Sequence, residues 1–286
     1  MRPFSPAPHR LVRSALALVA CLVAHAVGAD AIGAHAMGAH ALGAQTVHKE
    51  PGDTTHPKTV AILYFDNNTG KSDYDALGRG ISAMLITDLS VVPEIRLVER
   101  ERLQQVLTEQ ELQQTSLFDK ATAVRAGRLL GAEYLLVGAL SSVDPDMRID
   151  TRVVRVETGE IVRTAKVQGK QDKFFDLQKK LAHELVDGLP VAVSPEAMQR
   201  LAQQEERDRI DDQRTIVDLS QGIASLDAHD YATAVEKLGS AVVRTPDALV
   251  VKLAYAEAKR QSTASVKDKA KEKARAGLRG LLNRRP

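Results

Sequence analysis

The sequence predicts a compact α/β sandwich followed by an all-helical tail. Three observations carry that expectation. Between residues 58 and 189, short apolar runs alternate with amphipathic segments in the order β-α-β-α-α-β-β-β-α. Residues 148–156 and 160–168 read as paired strands, joined by the turn Glu157-Thr158-Gly159-Glu160. Beyond Pro190 and Pro195, which flag a hinge, the remaining patterns are helical.

The elements follow in order. Thr59 to Phe65 is a strand, and Ser72 or Asp73 caps a helix running to about Val92. Asp75, three residues after Ser72, approximates a capping box. Leu77, Ile81, Met84, Leu85 and Leu89 form one apolar stripe on that helix. Pro93 ends it, and residues 95–98 form a second strand. A polar helix spans residues 99–114 with Leu103, Val106 and Leu107 turned inward, and Asp119 caps a third helix that Gly131 stops. Residues 133–143 form a hydrophobic strand leading to the hairpin. A helix over 172–188, carrying Phe175, Leu177, Leu181, Leu185 and Val186, closes the domain.

Residues 190–212 read as a charged linker, in which Glu196 to about Arg209 is either a highly charged helix or linker, and residues 213–286 read as a helical region. There Gly222, Ala234, Leu238, Ala241 and Pro246 have the mutual spacing of a tetratricopeptide repeat, with Tyr231 at the turn between its helices. Small residues at such positions let two helices approach closely, and this repeat is the candidate partner-binding element. A generic helical hairpin is the alternative. The end of the chain is basic: from Lys267 to Arg285, eight Lys and Arg face two acids. Such a run is either a solvated helix face or a surface for anionic lipid or an acidic partner.

The 286 residues suffice for one or two domains, and 44% hydrophobic content fills real cores. With 39 Lys and Arg against 37 Asp and Glu, the near-neutral balance does not suggest nucleic-acid binding. Aromatic content of 3%, without tryptophan, argues against a lipid-facing β-barrel and its aromatic girdles.

At the N-terminus, Arg2, His9, Arg10 and Arg13 precede an apolar core of signal-peptide size, too short to span a bilayer. Two processing routes stay open. Leu18-Val19-Ala20-Cys21 resembles a lipobox, which would make residues 1–20 the signal peptide and Cys21 the lipidation site. Cleavage after Ala26 or Ala29 would instead remove residues up to 29 and discard Cys21. Cys21 is the single cysteine, so no disulfide can form within one chain. Residues 24–43 repeat a five-residue Ala/Gly unit carrying His25, His35 and His40. Five matches neither the helical nor the strand period, so these histidines do not align as metal ligands. Residues 30–57 therefore read as a low-complexity Ala/Gly/His linker.

The loop Asp66-Asn67-Asn68-Thr69-Gly70, between strand and helix, has the layout of a phosphate site but not its residues. Lys71-Ser72 follows a single glycine, so the GxxxxGK[ST] pattern fails. Arg79 between Gly78 and Gly80 fits close backbone packing. Asp66, Asp73, Asp75 and Asp88 read as turn and cap residues. His183 and His229 are isolated. No catalytic, cofactor or metal site is expected, and the chain does not read as an enzyme.

The blocks VAILYFDNNTG, DALGRGISAMLITDL, IRLVERERLQQVLTEQELQQ, DKATAVRAGRLLGAEYLLVGAL and RVVRVETGEIV, in this order, resemble the CsgG-type domain of the curli secretion channel protein and its relatives. The resemblance spans residues 58–189. It implies an exported bacterial protein with a periplasmic α/β domain; relatives are often outer-membrane lipoproteins, and several assemble into rings. The channel's long membrane hairpins find no room here: only residues 141–150 separate two strands, whereas each membrane strand needs about 9–11 residues. The chain is thus more similar to the non-channel members. The resemblance implies a scaffold in the periplasm, anchored or not to the outer membrane, with other envelope proteins and copies of itself as partners. The alternatives are a ring component of a secretion channel and a nucleotide-binding regulator.

Overall fold

The computed structural model describes residues 56–109, 119–142 and 145–282. The expected signal segment, Cys21 and the Ala/Gly/His repeats lie outside the described residues. Among those described, six strands and eight α-helices follow in chain order. The first half runs β1 (Lys58–Ile62), β2 (Asp66–Asn67), α1 (Leu77–Leu89), β3 (Ile95–Leu97), α2 (Arg100–Glu109) and α3 (Lys120–Leu130). Next come β4 (Tyr134–Ser142), β5 (Asp146–Arg155), β6 (Ile161–Lys170) and α4 (Phe174–Gly188). The tail comprises α5 (Pro195–Arg207), α6 (Gln213–Asp227), α7 (Tyr231–Arg244) and α8 (Leu249–Leu282).

The strands form one sheet of order β3-β1-β4-β5-β6, with β2 also paired to β4. β1 runs parallel to β3 and β4, while β4, β5 and β6 form an antiparallel meander. β4 lies at the centre, and its side chains alternate between two cores. Tyr134, Leu136 and Leu140 enter one, Leu135 and Val137 the other. A strand covered on both faces reads as an unbroken apolar run, which is what Leu135 to Leu140 presents.

Helices α2 and α3 cover the second core through Leu103, Leu107, Ala123 and Ala126. The first core lies under α1 and α4 and does not stop where α4 ends. It continues through Leu201 of α5, Leu219 and Ile223 of α6, Leu238 of α7 and Val251 of α8. The sheet domain and the helical tail therefore share one apolar interior.

Several local expectations hold. The Asp119 side chain accepts from the Thr122 amide at 3.0 Å, and Gly131 ends α3 at φ 67°. The expected capping box at Ser72 does not form. Residues Ser72–Tyr74 make a 3-10 turn, and α1 begins at Leu77 without a side-chain cap. The reason is local competition, because the Asp75 carboxylate accepts from Asn67 Nδ2 at 2.6 Å. Of the two readings of residues 196–209, charged helix or linker, the structure takes the helix, α5. Ser194 caps it by accepting from the Ala197 amide, Pro195 takes its first position, and Ala197 and Leu201 are fully buried. Charge dominates its composition and obscures a narrow buried stripe.

Candidate functional site

The polar loop after β1 is held by its own side chains. Asn67 Nδ2 donates to the Lys71 carbonyl at 2.8 Å, and Asn67 Oδ1 accepts from the Thr69 amide and hydroxyl. The Asn68 amide donates to the Leu140 carbonyl, so the loop is sewn to β4. Its polar groups are thus occupied in shaping the turn.

What the loop delivers is α1, and α1 carries the seam to the tail. A Cβ on Gly78 would stand 1.9 Å from the Phe65 carbonyl oxygen, and one on Gly80 would stand 2.0 Å from Ser220 Oγ. The first glycine lets α1 lie against the end of the strand segment. The second lets α6 of the tail cross α1 at close range. Arg79, between them, reaches α6: its Nε donates to Asp227 Oδ2 at 3.0 Å. Arg100, the first residue of α2, donates to Asp227 Oδ1 at 2.6 Å. Two arginines from separate elements of the sheet domain thus hold one carboxylate at the end of α6.

The Asp227 side chain is only 4% exposed. Burial raises its pKa, and the Arg100 and Arg79 guanidiniums offset that only in part. Tyr64 completes the group, its ring lying 5.1 Å below the Arg79 guanidinium. Its hydroxyl lies against Asp227 and Arg100 without a well-aligned hydrogen bond to either. Burial first, and the Asp227 carboxylate second, hold this phenol well above its ordinary value.

A second polar group sits where α1, α4 and α5 meet. Asp88 accepts from Gln178 Nε2. Glu205 is fully buried, with Oε2 3.3 Å from His183 Nε2 and Oε1 unpartnered. Asp208 accepts from Gln204 and from the first amide of α8, at 3.0 and 2.5 Å. Burial pushes Asp88 up to about 7, with Asp208 and Glu205 adding repulsion and Gln178 and Lys179 opposing it. Burial likewise raises Glu205.

The repeat residues expected from spacing fall on α6, α7 and the loop beyond. A Cβ on Gly222 would stand 2.5 Å from Leu238 Cγ, so this glycine sets the distance between the two helices. Ala234, Leu238 and Ala241 are fully buried, Tyr231 is half-buried and Pro246 is exposed. The buried members hold the helix pair together and leave only their exposed neighbours for a partner to touch. At the α6–α7 turn His229 adopts φ 59°, steadied by its Nδ1 2.9 Å from the Tyr231 hydroxyl. Between α2 and this turn is a cavity of about 270 Å³, lined in part by Arg100, Glu101, His229, Tyr231 and Glu257. Among the described residues no group of three or more His, Cys, Asp or Glu is placed to hold a metal ion. Nor is any described helix long and apolar enough to cross a membrane.

Reading the sequence missed both polar groups, although each left a trace. Asp227 ends α6, where the helix dipole disfavours a carboxylate unless a cation meets it. Asp88 occupies a position four residues after Met84 and seven after Ile81, on the apolar stripe of α1.

Residues 43–148 match the family model of the curli production assembly/transport component CsgG. This part of the chain is similar to the CsgG family over that span. The matched span ends within β5, whereas the sheet domain continues through β6 and α4. No curated protein matches the chain. Among solved structures, it is similar to the LpoB C-terminal domain from Salmonella enterica, with 22% identity over 42% of this chain and 88% of that one, at a TM-score of 0.35. Lipoprotein GNA1162 from Neisseria meningitidis is 9% identical over 40% and 81% of the two chains, with a TM-score of 0.33. A PelC dodecamer from Paraburkholderia phytofirmans is 15% identical over 53% and 93%, with a TM-score of 0.28.

Proposed function

We propose that this CsgG-family chain is a non-enzymatic scaffold of the bacterial envelope. Its sheet domain docks onto envelope proteins or onto further copies of itself, and its helical tail, read as tetratricopeptide-like, offers exposed positions around the α6–α7 pair to a second protein. The observation that carries this reading is the seam. Asp227, held by Arg79 and Arg100 over a shared core, fixes the tail to the CsgG-type domain, so both can be presented together. A non-channel role is supported by the short connection of residues 143–145 between β4 and β5, too short for a membrane-spanning hairpin. The apolar leader would route the chain to the periplasm, and acylation of Cys21, where it occurs, would anchor it to the outer membrane.

The test is in-cell cross-linking combined with sedimentation of the purified chain at micromolar concentration. The scaffold reading expects discrete cross-linked species or concentration-dependent assembly. A strictly monomeric chain without cross-linked partners would overturn it. Fatty-acid labelling of the parent and Cys21→Ala chains decides the anchor separately, since equal labelling excludes acylation at Cys21.

A further inference from the structure

Helix α8 is longer than the body it packs on. Its first half carries Val250, Val251 and Ala258 into the shared core. From Val266 to Ala276 every side chain is exposed. The stretch from residue 263 to 282 would extend about 30 Å at 1.5 Å per residue. It holds Lys267, Lys269, Lys271, Lys273, Arg275 and Arg279 against Asp268 and Glu272. Among these charges, a 3.5 Å pair joins Lys271 to Asp268. Like charges four apart on a helix repel, so Lys267, Lys271, Arg275 and Arg279 form a stripe that weakens this helix in water.

The distribution around the helix is ordered as well as basic. Val266, Ala270 and Ala274, spaced by four, make a narrow apolar strip, and Val266 is 65% exposed. Helical geometry places Lys267, Lys271 and Arg275 along one side of that strip and Lys269 and Lys273 along the other. It turns Asp268 and Glu272 to the opposite side of the helix. A small apolar strip flanked on both sides by cations, with the acids behind, suits a flat anionic interface.

We infer that the free half of α8 is a binding surface for anionic lipid headgroups, lying along a bilayer surface without entering it. The shallow strip supplies little burial, so the attraction is mainly electrostatic and falls with salt. The envelope location proposed above decides only where such a surface is met. The affinity itself belongs to the helix, so the two readings fail separately.

The experiment is co-sedimentation of the full chain carrying Cys21→Ala, so that no acyl chain contributes. Vesicles of phosphatidylcholine mixed with phosphatidylglycerol are compared with phosphatidylcholine alone. A second protein adds Lys267→Gln, Lys271→Gln, Arg275→Gln and Arg279→Gln, which retain good helix propensity and are checked by circular dichroism. Each cation near an anionic surface contributes roughly a fivefold factor in partitioning, so four losses predict weakening of about a hundredfold or more. Raising salt to about 0.5 M should release the unsubstituted stripe. The inference is overturned by any of three results: equal binding to the two vesicle types, binding of the quadruple variant within twofold of its parent, or capture by an acidic polypeptide with none by anionic vesicles.

Discussion

Replacing Asp88 with asparagine should make the protein more stable at neutral and alkaline pH, by an amount the structure sets. Asp88 lies in the shared core between α1 and α4, with Gln178 donating to it. The groups facing it are Glu205 and Asp208 near the end of α5 and Lys179 of α4, with His183 paired to Glu205. Burial raises its pKa from 3.8 to about 7, so folding favours the protonated form. The sign follows from linkage. Stability from this raised value is fully present below about pH 4, declines as the unfolded carboxylate ionises, and is gone once pH passes about 7. The displacement corresponds to roughly 4 kcal/mol. Asparagine keeps an oxygen for Gln178 and never ionises. Urea denaturation at a series of pH values from about 4.5 to 8.5 measures the difference between Asp88→Asn and the parent. That difference should be small at the acid end, about 2 kcal/mol near pH 5.5 and about 4 kcal/mol at pH 8. A pH-independent difference, or a variant less stable than the parent at pH 8, would refute the reasoning.

Asp227→Ala leaves two arginines facing a buried gap and should destabilise the protein by about 3–5 kcal/mol in chemical denaturation. A loss under about 1 kcal/mol would remove the clamp from the account. Gly80→Ala sets a Cβ against Ser220 Oγ and should cost about 1–3 kcal/mol in thermal or urea unfolding. Adding Ser220→Gly should restore most of that loss, whereas a purely local effect on α1 would persist in the double variant. His229→Gly relieves a left-handed backbone and should stabilise by about 1 kcal/mol, less whatever the Tyr231 contact contributes. A net loss in calorimetry would show that the ring contact outweighs the strain.

The legible parts of the fold were those that local chemistry determines. Asp119 and Gly131 mark the ends of α3 because a cap and a left-handed stop are properties of single residues. The β5–β6 hairpin was legible from alternation and from Gly159, which takes φ 67°. The CsgG resemblance could be read from five blocks in order, four of which lie wholly within the matched span. Less legible was whatever depends on distant partners. The Ser72 cap yielded to Asn67, which competes for Asp75 from across the loop. Helix α5 could not be told from a linker, because Gln204, Glu205 and Asp208, polar in sequence, are buried against groups far along the chain. A carboxylate at a helix end becomes a clamp only when two arginines arrive from α1 and α2, and spacing within α6 says nothing of that.

The seam also changes what the family match means for this chain. Arg100 belongs to the block IRLVERERLQQVLTEQELQQ that helps carry the CsgG resemblance, and Arg79 and Gly80 belong to another of its blocks. In this structure those same positions meet the tail: Arg79 and Arg100 on Asp227, Gly80 on Ser220. The apolar interior beneath α1 is closed by Ile216, Leu219 and Ile223 of α6, residues beyond the sheet domain. Removing the tail would therefore uncover apolar surface and leave two arginines without their carboxylate, which burial energetics disfavour on both counts. The boundary near residue 190 separates two sequence patterns but not two cores. The described residues from 56 to 282 form one compact unit, so the docking function proposed for the sheet domain would be a property of domain and tail together.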